Sequence, residues 1–97
     1  MKFKIIKTNH NASIENYHIL LDLKEVNKVA LLDFIDYFRK NYTTKQANIS
    51  IYDNKIVAPF CHKNYGLTSE QQSLLSKHWI GYSSFDVPLD VLMYPGQ

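Results

Sequence analysis

The sequence contains a single cysteine, Cys61, and a single arginine, Arg39, against ten lysines. One cysteine excludes a disulfide within the chain, and secreted domains of this size usually depend on disulfides, so we predict a reducing compartment, the cytoplasm. Long apolar runs are also lacking. The basic start of the chain is not followed by the apolar stretch of a signal peptide, and no run reaches membrane-spanning length. We therefore expect no contact with a membrane.

Glycine is scarce as well, and Gly66, Gly81 and Gly96 are isolated, which excludes a glycine-rich phosphate loop. What is present is an ordinary globular composition, with 45% hydrophobic and 21% charged residues and a net charge of +2. A chain of 97 residues has room for one core, so we predict one domain over residues 1–97. Abundant lysine, asparagine, isoleucine and tyrosine, which have A/T-rich codons, indicate a low-GC bacterium or one of its phages.

The periodicity of apolar residues predicts the element order β-β-α-β-β-α-β-β. Alternation of apolar residues, or their enrichment in β-formers, predicts strands over residues 2–8, 17–23, 47–52, 55–60, 79–82 and 87–93. Asp53 and Asn54 tolerate turn geometry, so strands 47–52 and 55–60 are predicted to form a hairpin. Helical spacing predicts a first helix over 27–41 capped by Asn27, with Asp22 paired to Glu25 as an earlier option for the cap. A capping box at Thr68 or Ser69 predicts a second helix to about residue 77.

These elements predict an α+β fold with one small mixed sheet and both helices packed on one face. Strand 17–23, the first helix and strand 47–52 suit a right-handed parallel crossover. A ferredoxin-like arrangement is the nearest named alternative.

Three segments carry a resemblance to known proteins: residues 17–22 (YHILLD), 48–53 (NISIYD) and 78–82 (HWIGY). With these segments the chain resembles small bacterial and phage-borne αβ domains that have no assigned activity. The resemblance implies a fold of sheet and helices, and no functional residue is carried over from it.

Reactive side chains are few, and Cys61 next to His62 is the most reactive-looking pair. A cysteine nucleophile needs a base that keeps it as thiolate, and adjacent residues rarely point at one another. An inert loop thiol is therefore the favoured interpretation. The four histidines lack the spacing of a zinc site, and Asp36 with Lys40 is ordinary pairing on a helix surface. We predict no catalytic residue, no metal ligand and no cofactor.

The aromatic residues outnumber what one small core needs, and tyrosine and tryptophan are favoured anchors of protein interfaces. We predict a non-enzymatic protein-binding module, in the class of small inhibitors, antagonists or immunity proteins of phages and mobile elements, with a homodimer as one form of partner. The predicted partner-binding residues are Tyr52, Tyr65, Tyr82 and Tyr94. Of these, Tyr52 should face solvent on its strand, and Tyr65 should be exposed in a loop.

Two alternatives remain open. A single-stranded nucleic-acid binder would use Lys2, Lys4 and Lys7 with Tyr17 or Tyr52, because aromatic side chains on a sheet can stack bases. The single arginine and the mild net charge count against it. A small cysteine-dependent enzyme built on Cys61 is the third hypothesis.

Overall fold

The computed structural model describes residues 2–23, 25–63, 65–88 and 90–93, and within them the chain forms one sheet and two α-helices. The strands are β1 (Lys2–Thr8), β2 (Ile14–Asp22), β3 (Gln46–Tyr52), β4 (Trp79–Ser83) and β5 (Leu92–Met93). The helices are α1 (Lys28–Tyr42) and α2 (Ser69–His78), and a 3-10 helix covers Lys55–Val57. No helix in this part of the chain is long and apolar enough to span a bilayer.

The strands lie in the sheet in the order in which they occur along the chain, β1-β2-β3-β4-β5. Strands β2 and β3 are parallel and are joined by α1, whereas the other neighbouring pairs are antiparallel. The predicted α+β class, the mixed sheet and the parallel crossover are confirmed. A ferredoxin-like sheet separates its βαβ strands by another strand, so that alternative does not describe this sheet.

Helix α1 covers one face of the sheet, which we call the α1 face. Asn27 caps the helix as predicted, because its side chain accepts a hydrogen bond from the backbone nitrogen of Ala30 at 2.9 Å. The apolar stripe of α1 packs on alternate residues of β2 and β3, and its members are Leu31, Phe34, Ile35 and Phe38. This first core is almost completely shielded from water, and Phe38 at its centre is fully buried.

Helix α2 packs on the opposite face, which we call the α2 face, and this differs from the expectation that both helices share one face. Successive residues of a strand point to opposite sides, so Ile51 enters the first core while Tyr52 enters a second one. The second core contains Tyr52, Val57, Phe60 and Cys61, and Leu67, Leu74, Leu75, Trp79 and Ile6 pack against it. The reason is that α1 already covers the first face of the sheet. Leu74 and Leu75 of α2 therefore contact the apolar residues on the opposite face.

The predicted strand 55–60 is wrong, because this segment forms the 3-10 helix and the turns that follow it. The side chain of Asn54 caps the 3-10 helix by accepting from the backbone nitrogen of Ile56 at 3.0 Å. Val57 and Phe60, three residues apart, then both reach the second core. In a strand these two side chains would point to opposite faces of the sheet.

The predicted strand 87–93 is shorter than expected, since among its described residues, 87–88 and 90–93, only Leu92–Met93 pairs with β4. Residues 84–88 form turns instead, with the backbone nitrogen of Val87 donating to the carbonyl of Ser84 at 3.3 Å. Pro88 lacks a backbone donor, which explains why regular pairing does not extend through it.

Candidate functional site

The α2 face carries polar side chains over the middle of the sheet, where α2 does not cover it. Cross-strand partners share a face, and the strand register produces two polar rows. One row runs across four strands, from Lys7 through His18 and Ser50 to Tyr82. The second row pairs Asn16 of β2 with Asn48 of β3. In the region that α2 leaves uncovered, the same strands therefore present apolar residues to α1 and polar ones to the other side.

An open cleft of about 430 Å³ lies over these rows. Its floor is formed by the strands, and Trp79 with Tyr82 contributes aromatic surface. Its walls come from the β1–β2 turn (Asn9), from α2 (Leu75) and from the connection between β3 and α2 (Cys61, His62 and Lys63). A smaller hollow of about 170 Å³ next to β5 is lined mainly by apolar atoms. The larger cleft offers more directional contacts and is therefore the candidate site.

The asparagine pair is held in place by a chain of hydrogen bonds. Asn48 Nδ2 donates to Asn16 Oδ1 at 3.0 Å, and Asn16 Nδ2 donates to the carbonyl of Asn9 at 2.7 Å. The backbone nitrogen of Phe85 donates to Asn48 Oδ1 at 2.9 Å. These bonds fix both amide groups in orientation before any ligand arrives, which lowers the entropy lost on binding.

His18 is a neutral, positioned side chain in the middle of the cleft floor. Its Nδ1 lies 2.9 Å from the hydroxyl of Tyr52, and the two rings stack with centroids 5.9 Å apart. Burial, together with the nearby His62 and the positive charge of Lys7, lowers the pKa of His18 to about 4. At neutral pH the imidazole is uncharged, so it does not add to the positive charge of the site.

Cys61 and His62 do not form an activated pair. Burial raises the pKa of the Cys61 thiol, so the nucleophilic thiolate is disfavoured at neutral pH. Burial, with the charges of Lys7 and Lys63, lowers the pKa of His62. Nδ1 of His62 is shielded from solvent and has no hydrogen-bond partner among the described residues. The thiol was expected in a loop, and it lies in a turn, but it is packed into the second core.

The predicted partner-binding tyrosines differ in their exposure to solvent. Tyr65 is 87% exposed, as expected for a loop residue. Tyr82 is half-buried and lines the cleft. Tyr52 points away from α1 as predicted, but its expected exposure to solvent is wrong: it is 1% exposed, because the second core covers it. Tyr94 lies outside the described residues.

The other chemistry-bearing residues are spread over the molecule. His78 at the end of α2 contacts Asp53 with Nδ1 and Oδ1 2.8 Å apart, and Nδ1 of His10 accepts from the backbone nitrogen of Asn16. Lys40 and Asp36 form a solvent-exposed pair at 2.9 Å on α1. Among the residues that the structure describes, no three histidine, cysteine or carboxylate side chains are grouped in a way that could hold a metal ion.

The sequence interpretation missed Asn16, Asn48 and Ser50 as members of a site. The signal was present, because polar residues alternate with apolar ones on both β2 and β3, and the two strands were predicted to be parallel neighbours. The alternation on β3 places Asn48 and Ser50 on the same outer face as Tyr52. It does not indicate that these polar residues, rather than the aromatic one, form the accessible site.

Comparison with known proteins gave no match to the chain among family models, curated proteins or solved structures. The resemblance to bacterial and phage αβ domains therefore stays a prediction, and the function has to be argued from the cleft.

Proposed function

We propose that this chain is a non-enzymatic binding module for another protein, and that its contact surface is the cleft on the α2 face with the connection between β3 and α2. In this proposal the module acts by binding to its partner and blocking it, as small inhibitors and immunity proteins do.

The observation that supports the proposal most is the row of polar side chains over the centre of the sheet. His18 and Ser50 lie on β2 and β3, the two strands whose other face holds the first core. Stability alone would favour apolar, β-branched residues at such positions. Polar groups held in fixed orientation instead suit the recognition of a ligand.

The connection between β3 and α2 lines the cleft with Cys61, His62 and Lys63, and it also carries exposed apolar side chains. Tyr65 is 87% exposed and Ile56 is 48% exposed, and both lie in this connection. An exposed tyrosine in a segment that lines a polar depression suits a protein interface, in which aromatic anchors surround directional contacts.

Nucleic acid is the weaker candidate for this surface. Arg39 is engaged inside the fold, where its guanidinium donates to the carbonyl of Ala47 at 2.8 Å and to Ser83 Oγ at 2.9 Å. It is therefore not placed to pair with a phosphate. The nucleic-acid hypothesis uses Tyr17 or Tyr52 to stack on a base, and Tyr52 is buried in the second core.

The proposal is tested by capturing the partner from the native host with the parent chain and two tyrosine variants. Tyr65→Ala removes the exposed side chain of the connection between β3 and α2, whereas Tyr37→Ala removes a 48% exposed tyrosine of α1, which packs on the other face of the sheet. We expect the same co-purifying protein with the parent and with Tyr37→Ala. Its yield should fall at least about tenfold with Tyr65→Ala, since an interface anchor contributes at least about 2 kcal/mol.

Equal capture by all three chains would contradict the proposed surface. Co-purification of nucleic acid, with binding that weakens steeply as salt rises, would replace the protein partner by the nucleic-acid hypothesis.

A further inference from the structure

The amides on the cleft floor keep donors for a ligand. Each Oδ1 of Asn16 and Asn48 accepts one hydrogen bond within the protein, with one of its two lone pairs. Each Nδ2 carries two protons, and each donates one of them within the protein. The second proton of each amide remains available at the cleft, and the hydroxyl of Ser50 between His18 and Tyr82 can donate as well.

The charges around the cleft have one sign. Lys63 lines it, and Lys7 lies close enough that its charge lowers the pKa of both His18 and His62. Neither lysine forms an ion pair with another described residue. No described residue that lines the cleft is an aspartate or a glutamate. The site thus offers hydrogen-bond donors in a weakly positive surrounding.

We infer that the cleft binds a carboxylate, and that in the complex of the proposed function this carboxylate belongs to an acidic segment of the partner protein. The inference rests on the proposed function for the identity of the partner, but the carboxylate site itself is a property of the cleft.

A carboxylate suits the cleft better than a phosphate does. Phosphate recognition favours arginine, whose planar fork donates two parallel hydrogen bonds, and Arg39 is engaged elsewhere in the fold. One lining lysine with two amides and a hydroxyl matches a planar group with a single negative charge. A cleft of about 430 Å³ also has room for an acidic side chain with its flanking backbone.

The test is a titration of the intact chain with capped amino acids, followed by ¹H–¹⁵N NMR of the side-chain amides of Asn16 and Asn48. The probes are N-acetylglutamate methylamide, its glutamine analogue as a neutral match, and inorganic phosphate, all at constant ionic strength. We expect saturable shifts of both amides with the glutamate probe, with a Kd on the order of 1–10 mM. The glutamine probe should bind at least about fivefold more weakly.

Two variants and one control locate the site. Lys63→Gln removes the lining charge, and Ser50→Val removes the hydroxyl; each should weaken the glutamate probe about two- to fivefold. Lys55→Gln changes an exposed lysine of the same connection that does not line the cleft, and the affinity should stay unchanged. The dispersion of the backbone amide spectrum shows whether each variant is folded.

The outcomes separate the inference from the proposed function. Equal binding of the glutamate and glutamine probes, or no saturable shift with either, would overturn the carboxylate site. The proposed function would still stand if capture of the partner depends on Tyr65. Tighter binding of phosphate than of the glutamate probe would also overturn the inference and would point to a phosphorylated ligand.

Discussion

The two faces of the sheet are built from the same strands but differ in chemistry. On the α1 face, Ile49 and Ile51 of β3 are fully buried against the apolar stripe of α1. On the α2 face, Ser50 of the same strand is 6% exposed on the floor of the cleft, which amides, imidazoles and aromatic rings also line. The first face has the dense apolar packing that stabilises a domain. The second is covered only in part, and its uncovered region is where we place the binding function.

The largest effect is expected from a change in the first core. Phe38 is fully buried at the centre of the α1 stripe, so Phe38→Ala should lower the free energy of unfolding by about 3–5 kcal/mol. Val29→Ala, at a 69% exposed position of the same helix, is the matched control and should change it by about 0.5 kcal/mol or less. Urea denaturation measures both. If Phe38→Ala unfolded in urea at the same concentration as the parent, the α1 face would not dominate stability.

The next effect is a dependence of stability on pH that arises on the α2 face. The folded pKa of His18 is about 4, whereas its ordinary value is 6.5. As the pH falls below 6.5, the unfolded chain takes up a proton that the folded chain does not, so stability is lost between pH 6.5 and 4. After allowance for its partial exposure, we expect a loss of about 2 kcal/mol.

Denaturation at several pH values measures this loss, and NMR titration of the imidazole gives the pKa of His18 directly. His18→Gln should remove most of the slope in this window. Glu15 affects the pH dependence of stability too, but at lower pH than His18. Burial raises the pKa of its carboxyl, but hydrogen bonds from Thr44 and Lys45 outweigh burial and leave the pKa below 4.5. A His18 pKa near 6.5 would mean that the cleft is wetter and less positive than described.

A smaller effect is expected from the thiol beside the cleft. Cys61 is 7% exposed in the second core, so Cys61→Ser should lower the free energy of unfolding by about 1 kcal/mol. Because burial raises its pKa, the thiol of the folded parent should react with a disulfide reagent at neutral pH at least about tenfold more slowly than in denaturant. Rapid reaction in the folded chain would revive the cysteine-enzyme hypothesis.

The first core was predictable from sequence, and the cleft only in part. The spacing of Leu31, Phe34, Ile35 and Phe38 identifies one side of α1, because a helix brings such residues onto one face. The alternation on β3 likewise indicates which residues meet that helix. Local pattern gives these results because each involves a single element.

The cleft depends on contacts between distant segments. Residues 55–60 follow the turn signal of Asp53 and Asn54 and were predicted as a hairpin arm, yet the Asn54 cap and the burial of Val57 with Phe60 favour a 3-10 turn. That turn buries Tyr52 and positions His62, and neither result follows from local periodicity. The polar row from Lys7 to Tyr82 likewise needs the register of four strands, which tertiary packing determines.

The difference between the two faces can be measured by placing valine at one serine of each face and determining the free energy of unfolding. Ser83 is buried on the α1 face and accepts a hydrogen bond from Arg39 at 2.9 Å, so Ser83→Val should cost about 2 kcal/mol by removing a hydrogen bond of the half-buried guanidinium. Ser50 is also buried, at 6% exposure on the floor of the cleft, but it is not a partner of Arg39. Ser50→Val should leave stability unchanged or raise it by up to about 1 kcal/mol, since valine is favoured in strands. A loss of about 2 kcal/mol or more for Ser50→Val would contradict the claim that this face is kept polar for binding and not for stability.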